Sequence, residues 1–212
     1  MPGCSKLPPG NHPGFFSRPV PEQPLPVKTR RWDTLETERV YSTPIFDLHR
    51  RKSAHPHRGE RNFYVLSAPE WVNIIPLTPQ GEVVMVRQYR HGISDFTLEI
   101  PGGMIDAEDP DPAEAARREM REECGYDSST IIRLGQVHPN PAIQPNLCHL
   151  FFASDVRKIG EPNPNLGGAE ETEVELVPLI NIKPMIAGGK ITHALVITAF
   201  SFFDVYNPPF GR

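Results

Sequence analysis

Apolar and polar positions alternate along much of this chain with the period of a β-strand, and a helical period takes over at a few places. Glu38 to Phe46 and Glu60 to Leu66 (ERNFYVL) read as a long hairpin or small sheet, with Asp47 to Arg58 (DLHRRKSAHPHR) left between them as a basic loop. Trp71 to Leu77 (WVNIIPL), a Thr78-Pro79-Gln80-Gly81 turn and Glu82 to Tyr89 (EVVMVRQY) predict a hairpin. Alternation puts Arg87 and Tyr89 on one face of its second strand and Gln88 and Arg90 on the other. Phe96 to Ile100 reads as a strand running into a Pro101-Gly102-Gly103 turn. Further strands are expected at Thr130 to Val137, Cys148 to Ala153 and Glu173 to Leu179. A Gly/Pro/Glu-rich loop fills 158 to 172. Leu179 to Gly189 predicts a short helix and Ile191 to Tyr206 a closing helix. The latter is apolar all round, so it belongs in the core or at a subunit contact.

The most strongly specified element is the helix over 112 to 124. Asp111 at the N-cap, Pro112 at the first helical position and Glu114 at N3 form a capping box. Ala113, Ala115 and Ala116 are strong helix formers, and Gly125 stands where a left-handed residue stops a helix. At roughly 100° per residue, Glu119, Glu122 and Glu123 share about a 100° arc of this helix. Such a face is either a solvated acidic surface, with Arg118 and Glu122 as an i,i+4 pair, or a site for a hard divalent cation. The glycine turn just before it favours the cation, because glycines let backbone carbonyls approach a ligand closely.

Composition adds bounds. Twenty-five prolines among 212 residues concentrate partly at the start of the chain and mark residues 1–30 as a Pro-rich tail. The expected organisation continues with an N-terminal β segment at 31–68, a main domain at 69–206 that holds the acidic helix, and a short C-terminal tail at 207–212. A net charge of −4 argues against nucleic acid as a partner. Cys4, Cys124 and Cys148 are too few and too scattered for a disulfide framework or a zinc site. No apolar run approaches a membrane span, and Met1 to Val27 lacks the apolar region of a signal peptide, so no membrane contact and a cytoplasmic location are expected.

The strand, the Gly-Gly turn, the acidic loop and Arg118-Glu119-Met120-Arg121-Glu122-Glu123-Cys124-Gly125-Tyr126 together resemble the Nudix box, the signature of Nudix hydrolases. In that family the box runs from a glycine through a glutamate to Arg-Glu-apolar-x-Glu-Glu-x-Gly-apolar, and Arg118 to Tyr126 matches its second half position by position. The interval from Gly103 to Arg118 is one residue longer than the family pattern. Pro110 consequently sits where the family has its loop glutamate, and Glu108 or Asp109 must stand in.

The resemblance implies an α+β fold, a Nudix α/β/α sandwich with a mixed sheet, carrying here an N-terminal antiparallel β extension. It implies hydrolysis of a diphosphate joined to another group, with two or three Mg²⁺ ions, or Mn²⁺ in their place. Glu119, Glu122, Glu123 and the Gly102 carbonyl would be the metal ligands, and Arg118 would orient a glutamate. The N-terminal β segment, Pro141 and the acidic run ahead of the last strand resemble the ADP-ribose and nucleoside diphosphate sugar branch. In that branch Arg90 would meet the phosphates, Glu99 would add a carboxylate or hold a sugar, and Glu171 would be the base, with Glu170 and Glu173 as rivals. The partner is then a small-molecule nucleotide, and the β segment is expected to build a homodimer. The alternative is a Nudix-fold sensor, or an RNA-directed protein using the basic 47 to 58 stretch. Retention of three mutually repelling glutamates speaks against a module freed from metal chemistry.

Overall fold

The computed structural model describes residues 29–163 and 172–206. Its first three strands, β1 (Asp33–Ser42), β2 (Asp47–His55) and β3 (Gly59–Ser67), form an antiparallel sheet in the order β1-β2-β3. The stretch expected to be a basic loop is therefore mostly the central strand of this sheet. Its periodicity is masked because both faces carry charge. The partner strands supply the opposite sign, Arg50 Nη2 lying 2.5 Å from Glu38 and Lys52 Nζ 2.7 Å from Glu60. Ladders on both sides satisfy its backbone, which a loop would have left to water.

The remaining elements make a layered body. In chain order they are β4 (Trp71–Pro76), β5 (Glu82–Arg90), β6 (Asp95–Glu99), β7 (Gly102–Met104), α1 (Pro112–Cys124), β8 (Tyr126–Asp127), β9 (Ile131–Val137), β10 (Cys148–Ala153), β11 (Arg157–Lys158), β12 (Thr172–Pro178), α2 (Leu179–Ala187) and α3 (Ala194–Tyr206). One sheet has the order β7-β4-β10-β9 and is mixed, since β4 and β10 run parallel. A second sheet, β12-β5-β6, is antiparallel throughout.

The predicted hairpin of β4 and β5 needs correction. The Thr78–Gly81 turn is present, with Gly81 at φ 79° and Thr78 N–H donating to the Glu82 carbonyl at 2.9 Å. Beyond a single bridge from Leu77 to Val83, however, the strands part into different sheets. Both are buried on each face, so the helices and neighbouring strands, rather than each other, dictate their pairing. Likewise Gly102 and Gly103 are not a free turn but part of β7, paired with β4.

Alternation sorts the core into two layers. Val72, Ile74, Val84 and Val86 face α1, meeting Ala115, Ala116, Met120 and Cys124. Ile75, Val83, Met85, Leu150 and Phe152 face the opposite way, toward α2 and α3. Helices on both sides of strands give the expected α/β/α sandwich. The helix predicted from Ile191 begins at Ala194; Ile191 itself is buried in the connection before it. Of α3, Val196, Ala199, Phe200 and Phe203 are buried while Val205 is exposed, so its core side is a stripe despite apolar residues all round. Among the described residues no helix is long and apolar enough to cross a membrane.

Candidate functional site

Local chemistry fixes α1 at both ends. The Asp111 carboxylate accepts from the Ala113 and Glu114 amides at 2.8 and 3.0 Å. Gly125 takes φ 69°, ψ 24° and donates its N–H to the Arg121 carbonyl at 3.0 Å. A Cβ at Gly125 would run into the Gly160 carbonyl, so backbone conformation and space both require glycine there. With Met120 and Cys124 inward, Glu119 and Glu122 are turned toward a cleft and Glu123 is buried beneath it. Cys124 is a packing residue: burial pushes its thiol up to about 12.

Arg118 is the hub of this face. It reaches Asp109 through two nitrogens at 3.1 and 2.9 Å, Glu119 at 3.0 Å, Glu122 at 3.1 Å and the Met104 carbonyl at 3.0 Å. Asp109, not Glu108, thus takes the place left by Pro110. The Arg118 hydrogen bond holds its carboxyl below the ordinary value against a smaller effect of burial, and Arg118 in turn is driven above its own. Gly102 and Gly103 lie against the same face. The Gly102 amide donates to Glu123 Oε2 at 2.9 Å, and a Cβ at Gly103 would overlap the Glu119 carboxylate. Among the described residues no three His, Cys, Asp or Glu side chains converge into a ready cage. Arg118 Nη1 instead bridges Glu119 and Glu122 on one wall. The donors are nonetheless all hard oxygens, packed against glycines that leave room beside them, and that chemistry suits Mg²⁺ or Mn²⁺.

The opposite part of the cleft is built by β5, β6 and the connection from α2 to α3. Arg90 Nε and Nη2 lie 2.7 and 2.8 Å from the two oxygens of Glu99, a bidentate pair in which the Glu99 side chain is almost wholly buried. Thr97 Oγ1 donates to Glu99 at 2.5 Å, and His193 Nε2 stands 3.7 Å from it. Burial pushes the Glu99 carboxyl up, but Arg90, His193 and Thr97 outweigh it and leave the group below its usual range. Burial pushes His193 down, opposed by Glu99.

The cleft between these walls measures about 1770 Å³. Arg90, Glu99, Gly102, Arg118, Glu119, Glu122 and Glu123 all line it, so most of the residues singled out in the sequence meet in one place. Pro141 does not line it; Gln144, three residues on, does. Glu173 is exposed on β12 opposite Arg87 and is not in the lining, whereas its neighbour Thr172 is. Glu170 and Glu171 lie outside the described residues. The sequence reading missed Thr97, His193, Thr172 and the wall formed by Ile45, Phe46 and Leu66 of the N-terminal sheet region. Thr97 was recoverable, sharing a strand face with Glu99 two residues on. His193 carries no local pattern; only the fold brings it to Glu99.

A family model of the NUDIX domain matches residues 69–199. The chain belongs to the Nudix family. It is a Nudix pyrophosphohydrolase. Among curated relatives, the ADP-ribose pyrophosphatase of Bacillus subtilis (strain 168) is 22% identical over 84% of this chain and 96% of its own length. The ADP-ribose pyrophosphatase of Mycobacterium tuberculosis is 26% identical over 78% of this chain and 80% of its own. Among solved structures, an ADP compounds hydrolase superposes with a TM-score of 0.75 at 19% identity, covering 88% of this chain and all of that one, a likeness of fold. The box loop of this Nudix chain is one residue longer than the family pattern, and Arg118 grips its Asp109.

Proposed function

We propose that this chain hydrolyses the diphosphate bond of ADP-ribose or a related nucleoside diphosphate sugar, giving a nucleoside monophosphate and a sugar phosphate. The observation that carries the reading is a single cleft with the Arg118-centred carboxylate face on one wall and the Arg90–Glu99 pair on the other. The pyrophosphatase relatives, similar over most of the chain, supply the substrate class.

Nudix hydrolases generally use divalent metal ions. Here Glu119, Glu122, Glu123 and the Gly102 carbonyl would hold two or three of them, Mg²⁺ or Mn²⁺. When bound, they supply neutralisation of the charge that develops on the phosphates. Arg118 keeps Glu119 and Glu122 on the cleft side by hydrogen bonds to one oxygen of each. Arg90 is fixed by Glu99 with its charge presented to the cleft, where it attracts and orients the substrate phosphates. A water proton must go to a base. A helix carboxylate committed to a cation is a poor one, so we assign this role to Glu171, with Glu170 as its rival. The outward position of Glu173 supports that choice.

The test is nucleoside monophosphate release from ADP-ribose, GDP-mannose, UDP-glucose, NADH and diadenosine polyphosphates with Mg²⁺. Glu122→Gln and Glu123→Gln are expected to lower kcat by about two orders of magnitude or more with the fold intact. Glu171→Gln is expected to lower kcat with KM and Mg²⁺ dependence little changed. Near-parental turnover in both helix variants would remove the metal assignment. A mild Glu171→Gln beside a crippling Glu170→Gln would move the base by one residue.

A further inference from the structure

The last turn of a helix leaves carbonyls without partners inside the helix. In α1 the cap itself meets one of these carbonyls, while those of Glu122 and Glu123, on the acidic face, are met from other parts of the chain. Arg121 O accepts from Gly125 N–H at 3.0 Å, Glu122 O from Asn163 N–H at 2.9 Å, and Glu123 O from the Thr172 hydroxyl at 3.1 Å. Two contacts hold Glu123 from different strands. Its carboxylate accepts from Gly102 in β7 and its carbonyl from Thr172 in β12. Those strands belong to different sheets, the two that part after the Leu77–Val83 bridge. Glu123 therefore ties together the two sheets that flank the cleft, and at the β12 end the tie runs through the Thr172 hydroxyl.

We propose that Thr172 is a positioning residue for the carboxylate face. By anchoring the main chain of Glu123 to β12, it sets the register of the last turn of α1 against β7. It thus sets the position from which Glu122 and Glu123 present their oxygens to a divalent cation. This rests on the metal reading of the face and adds to it a residue outside the box. Thr172 touches no reacting atom in this scheme; it acts through Glu123. Valine keeps the shape of threonine and the β-branching suited to a strand, while serine keeps the hydroxyl. The pair therefore separates the hydrogen bond from the packing.

The experiment is Mn²⁺ binding to the full-length, substrate-free protein, followed by electron paramagnetic resonance, alongside the thermal midpoint. Thr172→Val is expected to weaken Mn²⁺ binding about fivefold and Thr172→Ser to restore it to within about twofold, the range of one neutral hydrogen bond. Thr172→Ala, which also lacks the hydroxyl, should behave as the valine variant does and serves if valine disturbs β12. Parental Mn²⁺ affinity in the variants lacking the hydroxyl would overturn the proposal, whatever the thermal midpoint does, since a purely structural role predicts that result. Equal weakening by serine and valine would overturn it too. Glu122→Gln is measured in parallel. If it weakens binding while Thr172→Val does not, the proposal falls alone; if it leaves binding unchanged, the metal reading falls first.

Discussion

Glu99 sits under Arg90 with both oxygens engaged, one by Arg90 Nε and Thr97, the other by Arg90 Nη2 with His193 nearby. A carboxylate so occupied and so buried has little capacity left for a sugar hydroxyl or a cation, so its service to the reaction runs through Arg90. Glu99→Gln should loosen that arginine. We expect KM to rise about tenfold with kcat within about threefold, the signature of lost uniform binding. The Mg²⁺ concentration at half-maximal rate should stay put. A shifted Mg²⁺ dependence would instead mark Glu99 as a ligand. Steady-state kinetics at several Mg²⁺ concentrations distinguishes the two. At this scale the sequence was most informative where spacing alone places side chains, as for Glu119, Glu122 and Glu123 on one helix. It was silent where contact depends on chain segments far apart. Arg118 could be named from the box, but whether Glu108 or Asp109 answers it is settled by how the loop turns, with Asp109 N–H donating to the Asp106 carbonyl at 3.1 Å.

Among the elements, α1 was legible to the residue because its boundaries are written in capping chemistry, Asp111 at one end and Gly125 at the other. Strand β2 was not, since its stability comes from neighbours on both sides rather than from its own alternation. The parting of β4 and β5 was equally hidden, for their apolar runs fit a hairpin as well as two separate sheets. The attachment of α1 to β8 has a consequence for stability. Asp127 accepts from Arg117 at 2.8 Å and from Arg121 at 2.6 Å. Burial raises its carboxyl, but those arginines overcome this and bring it from 3.8 to about 2. A carboxyl depressed in the folded state stabilises the fold above its unfolded value and loses that contribution as pH falls through its folded one. Urea unfolding should therefore show a pH-dependent loss between about 4 and 2 that Asp127→Asn diminishes. Identical pH profiles for the two proteins would exclude the pair as a contributor.

For the whole molecule, the sheet of β1, β2 and β3 raises the question of assembly. Leu35, Tyr41 and Tyr64 are each more than half exposed on it, an unusual amount of apolar surface for so small a sheet. We propose that a second copy covers it. Light scattering at micromolar concentration should give twice the 23.8 kDa chain mass, and Tyr41→Glu with Tyr64→Glu should return the monomer. A monomer mass for the parent would remove the idea. The cleft itself draws on distant parts of the chain. Ile45, Phe46 and Leu66 come from the N-terminal sheet region, while the carboxylate face comes from the box. We propose that this apolar wall meets the part of the substrate beyond its phosphates, so that a stretch that helps choose the substrate and the stretch that cuts it are inherited separately. Selection can remake the first through residues 33–67 without disturbing the second, so drift in substrate range among descendants of such a chain need leave no trace in the box at all.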